Sequence, residues 1–208
     1  MQQGFELFLP DHIKGGAYMT KKMGIMMTLA SVFLLMFACS GQDSVGLLKK
    51  YEVTYNSHNV DNIMALIADD ASFILDNRAL NGKAAIRSLA EYDSVLDVQL
   101  EFRNMSTEGD SVLFDVREIN EWLRLAGIDE YHYRRCVAVF EDGLIKRIEA
   151  KTTEETLADI GKVFQEMAEW IPDSLAFEIN DLLQSGYSAR SAERWKVILQ
   201  QWQKDRMK

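Results

Sequence analysis

An α+β fold is what the sequence predicts, on three observations. Apolar residues recur every three or four positions over about residues 45–67 and again from Ala85 to Leu89, which marks helices with one buried face. From Leu96 to Thr152 they fall on alternate residues, as in strands that bury one side. Helical spacing then returns to the end of the chain. With 10% aromatics and only 2 Pro, the chain has the material for a packed core rather than a disordered one. Cys39 and Cys136 stand apart, as do His12, His58 and His132, and no CxxC or Cys/His cluster occurs. No zinc site is therefore predicted, and no metal or cofactor.

The chain opens on a leader over residues 1–38. Residues 1–18 do not look like the start of an export signal, and Met19 or Met23 is the better translation start. Lys21-Lys22 then precedes an apolar run from Met23 to Ala38, short of the ~20 residues a membrane-spanning helix needs. Met36-Phe37-Ala38-Cys39-Ser40-Gly41 resembles a bacterial lipobox, with Met36 and Phe37 departing from its usual Leu and small residue. That resemblance implies export, a lipid on Cys39, and anchoring in the cell envelope, at the periplasm or outer membrane. Cleavage near Ala38 without lipidation and an uncleaved anchor are the alternatives. With Cys39 lipidated, Cys136 has no partner for a disulfide. Residues 39–44 form a short tether.

A first helix is predicted from about Val45 to Asn56, where Leu47, Leu48, Tyr51 and Tyr55 share a face. The cluster Asn56-Ser57-His58-Asn59 stops it, and Asn59 or Asp61 can cap a second helix carrying Ile63, Met64, Leu66 and Ile67. Asp69-Asp70 is read as that helix's end, with turn and capping roles. Ala71 to Leu75 is a short strand, Asn77 and Asn81-Gly82 are turn residues, and a third helix follows with Ala85, Ile86 and Leu89.

In the sheet region Val98, Leu100 and Phe102 share one face, and Thr107-Glu108-Gly109-Asp110 turns the chain. The next strand is predicted from Ser111 to Trp122, with Val112, Phe114 and Val116 on one side; Ala126-Gly127-Ile128-Asp129 breaks it. Tyr131 to Phe140 and Leu144 to Thr152 complete the sheet around Asp142-Gly143.

Three local patterns carry a family resemblance: the link Asn56-Ser57-His58-Asn59-Val60-Asp61 to Ile63, Ala68-Asp69-Asp70-Ala71 leading into a strand, and Asn81-Gly82-Lys83-Ala84-Ala85-Ile86 opening a helix. With Phe140-Glu141-Asp142-Gly143-Leu144-Ile145 as a last hairpin, residues 45–152 resemble the nuclear transport factor 2 superfamily, which includes ketosteroid isomerases and SnoaL-like cyclases. The resemblance implies a cystatin-like cone, a curved antiparallel sheet wrapped by the N-terminal helices. It implies no single reaction, because the fold hosts unrelated functions.

Members of this fold that bind small molecules do so on the cone's inner face. Liners expected here are Tyr51, Tyr55, Phe73, Leu75, Trp122, His132, Cys136, Ile148 and Ala150, a mostly apolar set that suits core packing as well as a ligand. Isomerases of the family pair a carboxylate base with an oxyanion hole of a Tyr and a neutral acid. Tyr51 stands at the Tyr position. The base position falls on Leu75, with Asp76 one residue further, and the acid position falls near Cys136. Two of three roles are thus unfilled. A SnoaL-like lyase, isomerase or hydrolase would instead use His132, on the same strand parity as Cys136, with Asp76 at the cavity mouth. Cys136 reads as an inert buried thiol.

Residues 153–208 form a helical extension beyond the resemblance. Thr152-Thr153-Glu154-Glu155 opens a helix with Leu157, Ile160, Phe164, Met167 and Ile171 on its stripe, Pro172 ends it, and Asp173 to Gln184 is a second. A last helix from about Ser188 presents Trp195, Ile198, Leu199 and Trp202. These stripes are expected to pack on the cone, the alternative being an arm that binds a partner. The formal charge of −9 disfavours nucleic acid. The expectation is an exported, lipid-anchored binding domain without a complete catalytic constellation, the SnoaL-like enzyme being the alternative. Its partners are a small apolar molecule, a protein or a second copy of itself, and the membrane through Cys39.

Overall fold

The structure, a computed structural model, describes residues 43–206. Cys39 and the leader lie outside them. Asp43 starts the first helix: its carboxylate accepts the Gly46 N–H at 2.8 Å, and α1 (Ser44–Tyr55) buries Leu48, Tyr51 and Tyr55. Asn59 caps α2 (Val60–Met64) through the Asn62 N–H. The link between them is more than a helix breaker. The Asn56 amide exchanges two hydrogen bonds of 2.8 Å with the backbone of Leu100, and His58 Nε2 lies 2.8 Å from the Val98 carbonyl oxygen, so the link fastens α1 to the sheet.

After α2 the chain departs from the expectation. Strand β1 (Ile67–Leu75) begins four residues earlier than Ala71. Asp69 and Asp70 lie within it and pair with Lys83 and Lys146, which replaces the turn and capping roles expected of them. A short strand β2 (Arg78–Asn81), which the polar residues around it disguised as turn, pairs antiparallel with β1. Then come α3 (Lys83–Val95), β3 (Gln99–Glu108), β4 (Ser111–Ile119), α4 (Glu121–Ala126), β5 (Tyr131–Glu141) and β6 (Leu144–Ala150). Trp122 is therefore on a helix rather than at the end of a strand. Asn120 makes that change, its side-chain oxygen accepting the Leu123 N–H at 2.8 Å as a helix cap.

The sheet runs β2-β1-β6-β5-β4-β3, antiparallel except where β1 meets β6. Two bulges bend it. Phe114 pairs with Cys136 but Val116 pairs with Tyr133, so β5 carries one extra residue there; Arg103 pairs with Asp115 but Ser106 with Leu113, so β3 does too. Arg135 and Asn104 take the left-handed conformation in these bulges, with φ of 56° and 53°. The Asp115 carboxylate, between them, accepts the Arg135 N–H at 3.1 Å and the Asn104 amide at 2.8 Å. One side chain thus clamps both bends.

The extension consists of α5 (Glu154–Trp170), α6 (Asp173–Ser185) and α7 (Ala189–Arg206), and it belongs to the same compact unit as the sheet. Thr153 caps α5 through the Thr156 N–H. A second apolar cluster joins α4 to these helices, with Met167, Leu199 and Trp202 at its centre, each no more than 1% exposed. Helix α7 packs on both α3 and α4.

Candidate active site

The curved sheet, α1, α3, α4 and the extension enclose a cavity of about 380 Å³. Its floor is apolar: Phe73, Leu75, Phe102, Phe114, Val116, Ile148 and Ala150 from the strands, and Leu89 and Leu96 from α3 and its end. The extension supplies the roof, with Ile160 and Phe164 from α5, Leu182 and Leu183 from α6, Gly186 and Tyr187 from the following link, and Trp195 from α7. Tyr51, Tyr55, Tyr92, Tyr131, Tyr133 and Tyr187 all face it, so every tyrosine of the described residues meets at this one surface.

Two carboxyl groups reach this apolar space, Asp93 from α3 and Glu118 from the end of β4. Protein surrounds both, and the surface they keep open faces the cavity. The Tyr55 hydroxyl donates to Asp93, and the Tyr133 hydroxyl donates to Glu118 at 3.2 Å. Asn120, while capping α4, donates its amide to Glu118 at 2.6 Å. Burial pushes both carboxyls above the ordinary carboxylate range. Asp93 is pushed further by the charge of Glu118, while the donors on each acid, Tyr55 on Asp93 and Asn120 and Tyr133 on Glu118, work against the rise by favouring the charged form. The two acids titrate as one coupled pair that holds its protons more firmly than carboxyls in water, Asp93 the more so because the charge of Glu118 adds to its burial. Burial also raises the hydroxyls of Tyr51, Tyr55 and Tyr133, which keeps them neutral donors.

A stability consequence follows from the sign of these shifts. A carboxyl raised by folding makes the native state bind more protons than the unfolded one, so stability is fullest below the ordinary value of about 4 and is lost as pH rises through the raised value. Asp93→Asn fixes the neutral form. Urea unfolding across a pH series should show equal stabilities at acid pH and a variant increasingly more stable than the parent as pH rises. Parallel curves would contradict the buried pair.

Of the residues singled out in the sequence, Tyr51, Tyr55, Phe73, Leu75, Trp122, Ile148 and Ala150 line the cavity. His132, Cys136 and Asp76 do not. The bulge at Arg134-Arg135 reverses the parity of β5, turning Tyr131 and Tyr133 inward and His132 outward, where its Nε2 pairs with Glu130 at 2.8 Å. Glu130 also binds Arg117, whose guanidinium holds the Glu130 carboxyl below its usual range. Cys136 is fully buried opposite Phe114, and burial pushes its thiol up to about 12. Asp76 sits in a turn with φ of 52° and accepts the Thr152 N–H at 2.8 Å and its hydroxyl at 2.5 Å, a clamp between β1 and the end of β6.

Asp93 and Glu118 were missed, yet each leaves a trace in the sequence. Ile86, Leu89, Asp93 and Leu96 follow one helical stripe, and Val112, Phe114, Val116 and Glu118 follow one strand face. An acid on an apolar stripe is the signal.

Residues 48–148 match the SnoaL-like domain family. No curated protein matches the chain in sequence. Among solved structures, SalBIII, an epoxide hydrolase/cyclase-like enzyme of pyran ring formation in the polyether salinomycin, aligns with a TM-score of 0.50 at 16% identity over 56% of this chain and 95% of its own. An NTF2-like protein of unknown function from Cytophaga hutchinsonii aligns at 0.44, with 12% identity over 54% and 91% of the two chains. A designed protein with a curved β-sheet aligns at 0.46, with 13% identity over 61% and 98%. The sheet and the helices that wrap it thus form a domain of the nuclear transport factor 2-like superfamily. The stretch over residues 48–148 is similar to the SnoaL-like domains.

Proposed function

We propose that the cavity is an acid–base active site that rearranges a small, largely apolar molecule. The observation that carries this reading is the pair Asp93 and Glu118, two carboxyls in an apolar, tyrosine-lined space with their proton affinities pushed apart. Glu118 takes a proton from a carbon or hydroxyl of the substrate. The electron pair of that bond moves into a new C=C or C–O bond, and the oxygen at the far end of the shift takes the proton of Asp93. For an enolisable ketone the product is the enol; return of the proton from Glu118 to a different carbon completes an isomerisation and Asp93 recovers its own. On an epoxy alcohol the hydroxyl gives its proton to Glu118 as its oxygen bonds to an epoxide carbon, that carbon's bond to the epoxide oxygen breaks, and the freed oxygen takes the proton of Asp93; Glu118 then releases a proton to solvent and Asp93 regains one. The result is a closed ring, and SalBIII is an epoxide hydrolase/cyclase-like enzyme of pyran ring formation. The test is exchange of α-deuterium from cyclic ketones into water and conversion of β,γ-unsaturated ketones to conjugated ones, followed by NMR and absorbance. Both should exceed buffer rates and fall by orders of magnitude in Asp93→Asn and Glu118→Gln. Ketones that bind without exchanging would leave a binding cavity and end the enzyme reading.

We further infer that the protein is exported and held at the envelope by lipid on Cys39, from the basic pair, the short apolar run and Ala38-Cys39-Ser40. Cys39→Ser should abolish incorporation of labelled palmitate and release the protein from membranes. A variant that still fractionates with membranes would argue for an uncleaved leader instead.

A further inference from the structure

Resting on the reading of the cavity as a ligand site, we infer that its ligand carries an anionic group, a carboxylate in the simplest case, at the end that lies in the opening against Arg78. Arg78 is the one cation among the described residues that line the cavity. It stands on the short edge strand β2, is exposed, and therefore marks the opening, as does Leu183, half exposed on α6. Its guanidinium lies over the Tyr187 ring, 4.9 Å from the ring centre, and such stacking holds the planar fork in place without a carboxylate. No carboxylate of the described residues pairs with it, whereas Arg87, Arg103, Arg117 and Arg194 each have one. A positioned fork at the rim matches an incoming carboxylate, which it can bind through two parallel hydrogen bonds.

The rest of the cavity fixes the polarity. Asp93 and Glu118 are the acidic groups of the cavity and offer a carboxylate no favourable partner, whereas Arg78, exposed at the rim, is the cation among the described lining residues, so the contact that favours an anion lies at the opening. The chain as a whole is acidic at −9 and gives an anion no general attraction, so a preference for one has to come from this rim. The ligand class is then an apolar, ring-sized body with a neutral reacting end inside and a monoanionic tail outside.

A matched pair of probes separates the possibilities: 2-naphthylacetic acid and its neutral amide, with binding followed by calorimetry. The parent should hold the acid about tenfold more tightly than the amide, the size of one charge-assisted contact. Arg78→Met should bind the amide as before and lose the preference, and Arg78→Lys should keep part of it. The side chain is exposed on an edge strand, so melting curves should show these variants folded. Equal affinities in the parent, or a preference that survives Arg78→Met, would overturn the anionic tail and leave the cavity reading intact. Failure of the parent to bind either probe would overturn both.

Discussion

Glu118→Gln should lower the rate of enol exchange or isomerisation by about 10²–10⁴-fold, the usual worth of a positioned general base. The amide has the shape of the carboxyl; its oxygen can accept from the Asn120 amide while its NH2 donates to the Tyr133 hydroxyl, which turns to accept, so the cavity keeps its form. What disappears is the proton acceptor. In the parent the rate should rise with pH as Glu118 ionises and fall again as Asp93 loses its proton, because the reaction needs one acid and one base. In the variant the rising limb should be lost while the falling limb remains. That limb should also shift to lower pH, since the charge of Glu118 is part of what raises Asp93. A variant that keeps the bell and loses only amplitude would mean that Glu118 merely supports the architecture.

Trp202→Ala should lower stability by about 3–5 kcal/mol, as truncating a large aromatic in a packed site does. Trp202 is 1% exposed in the cluster that joins α4 to the extension, with the Arg206 guanidinium 4.5 Å from its ring centre. For a unit of this size that corresponds to a drop in melting temperature on the order of 10 °C. Trp202 does not touch the cavity, so the measurement reports docking of the helices apart from any ligand. A melting curve indistinguishable from the parent would mean that α7 does not hold the unit together.

Much of the fold was legible because periodicity survives burial. The helical stripe of α1 and the alternation of β4 are set by which face meets the core, and both are plain in the sequence. What was illegible depends on single backbone events. The parity argument that placed His132 inside is sound for a regular strand and fails across one inserted residue at Arg135. Asn120 converts the end of β4 into a helix with one hydrogen bond, so Trp122 reaches the cavity by a different route from the one its strand position implied. Asp93 and Glu118 were passed over for a different reason. A search for acids at the positions the family uses finds Leu75 and Cys136, while the acids of this chain arrive from a helix and from the far end of a different strand.

The gathering of all six described tyrosines around one space gives the protein an optical property. Tyrosine absorbance and emission from residues 43–206 come entirely from the cavity wall, and Trp122 and Trp195 stand in the same wall as acceptors for transferred excitation. The carboxyls bonded to Tyr55 and Tyr133 are natural quenchers of that emission. A molecule entering the cavity displaces water from the rings and alters their coupling at once, so near-ultraviolet difference spectra of the unlabelled protein are a direct gauge of occupancy.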